Sequence, residues 1–324
     1  MVHGLTTLFL ILSLAAYSCP ALSVESTKTK PATTPKSTKQ SKPSSDKPAK
    51  RTPSSKPDNA SNSAVNSERS KLTIAAPLDE QALMSDDLNH YLPPADVKTM
   101  LSGADDFVTL VQPSTTAINK GVAILLPDWQ QSATDPRAIN QLRLSLPAQG
   151  WTTMVMQPPN KPNSYPVINN KATNAAQENA KLLAPYQQSL SDMLTKVMAQ
   201  AANYPGLMLV IAQGNSGEFL LDLYKKQRNK APSALILLSA YRYTDAENQQ
   251  FADLVAHSTI PILDLYLTQD NPLVMNYAAQ RKTDAIKAMK VYYRQQQLMN
   301  YSPGYYPSAT LQLAIKGWLK AIGW

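Results

Sequence analysis

The turn at residues 212–217 is where this sequence could support nucleophilic catalysis. It follows an apolar run at residues 207–211 and reads Ala-Gln-Gly-Asn-Ser-Gly. A buried strand, a tight turn of small residues and a helix form the context of the G-x-S-x-G motif, whose serine attacks ester or amide carbonyls. When the strand ends are aligned, Gly214 occupies the nucleophile position. Glycine has no side chain for attack and adopts strained turn conformations at little cost, so we predict a turn that keeps its shape without its nucleophile.

Two further residues near strand ends have two interpretations each. Ser216 lies in the first turn of the following helix, where it either caps backbone N–H groups or acts as a displaced nucleophile of an esterase or amidase. Asp270 follows an apolar run at residues 261–267. It is placed either as the acid of a catalytic triad or as the cap of a helix that begins at Pro272.

The histidines argue against a working triad. Serine is a weak nucleophile at its ordinary pKa and needs an adjacent base. The base is expected after the last strand, but residues 298–307 contain no histidine. The three histidines are His3 near the N-terminus, His90 before every predicted strand, and His257 at the opposite end of the sheet. We therefore predict that the protein is not an enzyme, and that it is a hydrolase if it is one.

Other site chemistries lack their usual patterns. No pair of histidines has metal-ligand spacing, and the glycine-containing turn at residues 214–217 is too short for a phosphate-binding loop. Cys19 is the only cysteine, which excludes disulfides and a thiolate site from a chain cut after it. We expect no metal and no cofactor.

The elements that must position the turn are readable from apolar runs. Near-continuous runs are typical of strands buried on both faces, and here they alternate with helical stretches. This pattern predicts an α/β fold with a mostly parallel central sheet and helices on both faces. We also expect residues 107–112 to form a hairpin with residues 121–126, and an edge strand at residues 291–297. The runs lie at residues 122–126, 152–156, 207–211, 234–238 and 261–267.

Ligands of such sheets bind at the carboxyl ends of the strands. The loops at that edge supply the candidate ligand-binding residues, and the tyrosine-rich loop 301–306 suits either a sugar or amphiphile surface or plain core packing. The candidates are Asp128, Trp129, Gln213, Asn215 and Tyr305.

The N-terminal residues are typical of an exported protein. Residues 8–16 are apolar but too few to span a bilayer. Residues 21–23 form a small-residue cleavage pattern, so the sequence predicts a signal peptide at residues 1–23. Lipidation at Cys19 is the alternative. Residues 24–71 are rich in Lys, Pro, Ser and Thr and are predicted to be a disordered tail. The folded domain is expected at residues 72–324, in the periplasm or outside the cell.

The positive charge is concentrated in the predicted tail. Residues 24–71 hold 11 basic and 4 acidic residues, which gives +7 of the net +8 and leaves the domain almost neutral. A nucleic-acid-binding domain is therefore not expected. The tail is either a solvated spacer or a polycation that holds the domain near anionic lipid or envelope polymer.

From about residue 88 onward, the chain resembles a proteobacterial family of exported α/β-hydrolase-like proteins known only as a domain of unknown function. The resemblance implies the α/β-hydrolase fold and an envelope location, and it brings no known substrate. The family's turn commonly carries glycine at the nucleophile position, as Gly214 does here, and some members keep a histidine in the last loop. The matching segments are residues 107–110 (FVTL), 121–129 (GVAILLPDW), 142–143 (LR), 150–153 (GWTT), 281 (R), 293–295 (YRQ) and 317–320 (GWLK).

These observations favour a catalytically degenerate hydrolase-fold protein with a binding role. An esterase or amidase that uses Ser216 is the first alternative. An envelope scaffold in which the tail matters most is the second.

Overall fold

The structure is a computed structural model that describes residues 79–102, 105–168 and 172–324. The predicted signal peptide at residues 1–23, the predicted tail at residues 24–71 and the first seven residues of the predicted domain lie outside the described residues. In the described ranges, no helix combines the length and the apolar character that crossing a membrane requires.

Within the described ranges, eight strands form one sheet, in the order β1-β2-β4-β3-β5-β6-β7-β8. The six strands from β4 to β8 in that order are parallel, while β1 and β2 are antiparallel to their neighbours. The prediction of a mostly parallel sheet is confirmed. The strands are β1 Val97–Ser102, β2 Asp105–Gln112, β3 Gly121–Leu126, β4 Trp151–Met156, β5 Leu207–Gln213, β6 Ala234–Leu238, β7 Ile262–Leu267 and β8 Tyr293–Leu298.

The hairpin expected between β2 and β3 is wrong. β2 is antiparallel, but its partners are β1 and β4. The connection to β3 passes the start of β4, where Thr115 N donates to Pro147 O and Lys120 N donates to Gly150 O. β4 can therefore lie between β2 and β3. The edge strand β1 was not predicted, because its side chains are only partly buried and form no continuous apolar run.

Among the described residues there are seven α-helices, and they lie on both faces of the sheet, as expected. α3, α4 and α5 contribute to one apolar cluster, and α2 and α7 contribute to a second cluster on the other face. Their bounds are α1 Glu80–Tyr91, α2 Ile139–Ser145, α3 Ala172–Ala201, α4 Ser216–Lys226, α5 Asp245–His257, α6 Pro272–Lys287 and α7 Ser308–Ala321.

A fully buried ion pair joins α6 to the sheet. Arg281 of α6 donates from Nε to Oδ2 of Asp264 in β7 at 2.8 Å, and from Nη2 to Oδ1 at 3.2 Å. Tyr293 and Gln295 of β8 also donate to Asp264 Oδ2, at 2.9 and 2.8 Å. Asp264 therefore connects β7, β8 and α6 through four charge-assisted hydrogen bonds.

We predict that Asp264→Ala lowers the free energy of unfolding by about 3–5 kcal/mol, because it leaves the Arg281 guanidinium buried without its counter-ion. Urea unfolding followed by circular dichroism measures this loss. Asp284→Ala is the control, since Asp284 pairs at 3.6 Å with Lys287, whose side chain is exposed. That variant is expected to lose less than about 1 kcal/mol. Equal losses in the two variants would contradict the prediction.

Candidate functional site

The turn after β5 places Gly214 at the nucleophile position. β5 ends at Gln213, Gly214 has a φ of +60°, and α4 begins at Ser216. The Gly214 N–H donates to Leu238 O at 2.9 Å, which holds the turn against the end of β6. The positive φ is a left-handed conformation that glycine adopts without steric penalty.

The carboxylate of Asp128 occupies the space above Gly214. A Cβ atom at position 214 would lie 2.2 Å from Asp128 Oδ2 and 2.4 Å from Asp128 Cγ. Both separations are far shorter than van der Waals contact. A nucleophilic side chain at position 214 and the present position of the Asp128 carboxylate are therefore mutually exclusive.

The Asp128 side chain also accepts hydrogen bonds from the two backbone N–H groups that would form an oxyanion hole. Its Oδ1 accepts from Trp129 N at 2.9 Å and from Asn215 N at 3.1 Å. In hydrolases with a G-x-S-x-G turn, the donors come from the residue after the nucleophile and from the loop after the third strand. Asn215 and Trp129 hold the corresponding places. The Asp128 carboxylate thus lies where the negative oxygen of a reaction intermediate would bind.

The Asp128 carboxyl is buried. Burial raises its pKa above the ordinary value, and the hydrogen bonds from Asn215 and Trp129 oppose that rise. Tyr241 OH lies 3.4 Å from Asp128 Oδ2 and adds a longer polar contact. The Asp128 carboxyl therefore accepts hydrogen bonds that hold the turn after β5 to the loop after β3.

Ser216 has no solvent-exposed surface. Its Oγ donates to Pro127 O at 2.9 Å, so it connects α4 to the loop that carries Asp128. The expected capping role is wrong, because Asn215 is the residue that precedes the helix and the Ser216 hydroxyl serves another segment. Among the described residues, His90 lies in the last turn of α1 and His257 ends α5, and neither makes a hydrogen bond to Ser216.

Asp270 lies at the position of a triad acid, and both of its carboxylate oxygens already accept hydrogen bonds. Asp270 Oδ2 accepts from Leu267 N at 2.9 Å and from Ser239 Oγ at 2.6 Å, and Oδ1 accepts from Asn271 N at 2.8 Å. The helix cap expected at Asp270 lies one residue later, where the Asn271 side chain accepts from Leu273 N at 2.9 Å.

Ser239 and Tyr306 complete this group. Ser239 directly follows β6 and has a φ of +47°. Its Oγ lies 2.7 Å from Tyr306 OH, and Tyr306 OH donates to Leu265 O at 3.0 Å. Tyr306 belongs to the tyrosine-rich loop 301–306 that the sequence placed at this edge of the sheet, in the region where a base histidine was sought. Sequence reasoning did not name Ser239, although its position directly after an apolar run marks the end of a strand.

The five candidate ligand-binding residues divide into two groups. Asp128, Trp129, Gln213 and Asn215 are buried, and Tyr305 is 46% exposed. The first four therefore belong to the interior of the turn, while Tyr305 presents its ring to solvent.

A second polar cluster lies behind Trp129, and no motif predicted it. Arg242, in the loop after β6, is buried and stacks with its guanidinium carbon 4.1 Å from the centre of the Phe219 ring. Its Nη2 donates to Tyr165 OH at 3.1 Å and to Glu247 Oε1 at 3.2 Å. Its Nε lies 3.4 Å from Glu218 Oε2. In the described part of the chain, no three His, Cys, Asp or Glu side chains are grouped as metal ligands.

We predict that Gly214→Ala lowers the free energy of unfolding by about 2–5 kcal/mol, from left-handed strain together with overpacking against Asp128. When Asp128 is also replaced by Ala, the loss caused by overpacking should disappear. The two substitutions together should therefore cost about 1–3 kcal/mol less than the sum of the single losses in a double-mutant cycle. Denaturant unfolding of the four proteins measures it.

Gly304→Ala is the matched control for this cycle. Gly304 also has a positive φ, of +75°, but a Cβ there would meet only Arg137 Cδ, at 3.7 Å. The Gly304→Ala variant should lose about 1–2 kcal/mol of its free energy of unfolding from strain alone, and this loss should show no coupling to Asp128. Additive losses for Gly214→Ala and Asp128→Ala would refute the steric interpretation.

Solved structures of other proteins superpose on much of this chain. Est1E from Butyrivibrio proteoclasticus superposes with a TM-score of 0.51 at 11% identity, covering 71% of this chain and all of its own. An alpha-beta serine hydrolase homologue from Coxiella burnetii gives a TM-score of 0.48 at 11% identity, covering 72% of this chain and all of its own. At this identity the likeness concerns the fold, and the expected α/β-hydrolase fold is confirmed.

A search of curated proteins finds no match to the sequence. A family model described as a protein of unknown function (DUF3530) matches residues 5–321, nearly the whole chain. The resemblance to a family known only as a domain of unknown function is thereby confirmed. This chain, an α/β-hydrolase fold whose nucleophile position is a glycine covered by a carboxylate, is a member of the DUF3530 family.

Proposed function

We propose that this protein is a catalytically degenerate α/β-hydrolase-fold protein that acts by binding and not by hydrolysis. The observation that carries the proposal is the position of Asp128. Its carboxylate occupies both the space of a nucleophile at position 214 and the two backbone donors that would stabilise an oxyanion. A hydrolase needs these two features free at the same time.

The alternative of an esterase or amidase that uses Ser216 has little support in the geometry. The Ser216 hydroxyl is buried, and its proton is donated to Pro127 O. Ser239 is better placed at the strand edge, but its closest partner is the Asp270 carboxylate and not an imidazole. That carboxylate also accepts from the Leu267 and Asn271 backbone N–H groups, so its oxygens are already engaged as structural acceptors.

We predict that the purified protein hydrolyses p-nitrophenyl acetate and butyrate at the rate of the buffer control. Ser216→Ala and Ser239→Ala are expected to leave that rate unchanged, because neither hydroxyl has an activating base. Release of p-nitrophenolate at 405 nm, about the absorbance maximum of the product, measures the rate at about pH 7–8. Turnover that one of these substitutions abolishes would restore the hydrolase alternative and identify the nucleophile.

We further propose that the protein is exported and acts in the cell envelope. The support is the apolar run and cleavage pattern within residues 1–23, and the concentration of positive charge in residues 24–71. A basic segment of this kind is attracted to anionic lipid or envelope polymer, with up to about 1 kcal/mol per Lys or Arg held at the surface. The attraction decays over a Debye length, so it depends on salt.

We predict that the chain beginning at residue 24 sediments with phosphatidylglycerol vesicles at low salt and is released at about 0.5 M salt. A chain beginning at residue 72 should stay in the supernatant. A full-length tail with its 11 basic residues changed to glutamine is the matched control for charge. Sedimentation that persists in both altered proteins would place the lipid-binding surface in the folded domain instead.

A further inference from the structure

A cavity of about 300 Å³ lies between α3, α4 and α5, on the face of the sheet that carries Arg242. Five charged residues contribute to its lining, and the side-chain amides of Gln187 and Gln250 extend the polar surface. Ligand pockets begin at about this size, which is roughly the volume of ten water molecules. The charged lining residues are Glu218, Asp222, Lys226, Arg242 and Glu247.

Four of the five charges form two hydrogen-bonded pairs, and the fifth, Glu218, has only a longer ion contact with Arg242. Arg242 Nη2 donates to Glu247 Oε1 at 3.2 Å, and Lys226 Nζ donates to Asp222 Oδ2 at 2.6 Å. Glu218 is only 6% exposed, and its buried Oε2 accepts no hydrogen bond from any described residue. Its nearest cationic atom is Arg242 Nε, at 3.4 Å and outside hydrogen-bonding geometry.

A buried carboxylate oxygen without a donor is costly, because the protein does not replace the hydrogen bonds that it makes with water. Burial is the largest effect on Glu218 and raises its pKa to about 7. Arg242, in the loop after β6, opposes the rise, and so does Lys226 of α4; Asp222 of α4 and Glu247 of α5 add to it. Above about pH 7, Glu218 is therefore a carboxylate that a cationic donor in the cavity would stabilise.

We propose that this cavity binds a primary ammonium group on a short aliphatic chain, with the Glu218 carboxylate as its counter-ion. Arg242 Nη1, which lacks a hydrogen-bond partner among the described residues, is a donor for an oxygen atom on the same ligand. A small amino alcohol and a lysine side chain with its peptide carbonyl share this chemistry. The proposal rests on the cavity alone and does not require the turn at Gly214 to be inactive.

Isothermal titration calorimetry with 5-amino-1-pentanol at about pH 8 tests the proposal, with pentane-1,5-diol as the probe that lacks the ammonium. We expect saturable binding of the amine with Kd at or below about 1 mM, and at least tenfold weaker binding of the diol. Nα-acetyl-lysine N-methylamide distinguishes the sources. Tighter binding of this compound assigns the site to a lysine side chain, and tighter binding of the amino alcohol assigns it to a free amine.

Glu218→Gln keeps the shape of the side chain and removes its charge, so the affinity for 5-amino-1-pentanol should fall at least tenfold. Glu178→Gln is the matched control, because Glu178 lies on the exposed face of α3 outside the cavity. Its affinity should stay within about twofold, since exposed charges are screened. Equal affinities of the two variants, or equal binding of the amine and the diol by the unaltered protein, would overturn the proposal.

The pH dependence of the unaltered protein is a second measurement that needs no variant. Glu218 is protonated below about pH 7, so the affinity for the amine should fall as the pH is lowered from about 8 to 6. The raised pKa also means that the folded state loses stability as pH rises from about 4.5 through about 7, where the unfolded chain releases this proton first. Glu218→Gln should remain folded above that range. An affinity that is constant from pH 8 to about pH 6 would contradict the assignment of Glu218 as counter-ion.

Discussion

The carboxylate of Asp128 and the backbone of the turn after β5 determine what this molecule can do. Two peptide N–H groups point at one place, and in a hydrolase that place is kept open for an oxygen that becomes negative during the reaction. Here a carboxyl group of the protein itself occupies it, held at 2.9 and 3.1 Å. The donors of the turn are thus satisfied within the fold, and the hydrogen bond from Asn215 N connects the turn to the loop after β3.

The carboxylate of Asp270, at the position of a triad acid, is likewise engaged in hydrogen bonds within the protein. Asp270 still lies after β7 where a triad acid is placed, yet its acceptors are taken by two backbone N–H groups and by Ser239. Tyr306 closes the group from the last loop by contacting Ser239 at 2.7 Å. Polar atoms that a triad would use to orient an imidazole therefore orient one another, and they join the ends of β6 and β7 to the loop before α7.

Much of the fold was accessible from sequence because it depends on repeated, local signals. Five apolar runs and the helices between them indicated the parallel strands, and the strand end at residue 213 located Gly214. The position of β2 was not accessible, since the path of residues 113–120 past β4 depends on long-range pairing. Arg242 and Glu218 were missed for a related reason: their burial comes from packing among α3, α4 and α5, and no short spacing in the sequence records it. The carboxylate over Gly214 likewise required the contact between two segments almost ninety residues apart.

The contact between position 214 and Asp128 has a consequence for how such a protein can change over generations. A substitution of Gly214 by serine places its Cβ 2.2 Å from an Asp128 carboxylate oxygen, so the variant loses stability. A single change at Asp128 empties the space but leaves two buried donors without an acceptor and still supplies no nucleophile. Each first step lowers the stability of the fold by itself, and a base is a third requirement for hydrolysis. A nucleophile at this turn therefore requires coordinated substitutions at positions 214 and 128.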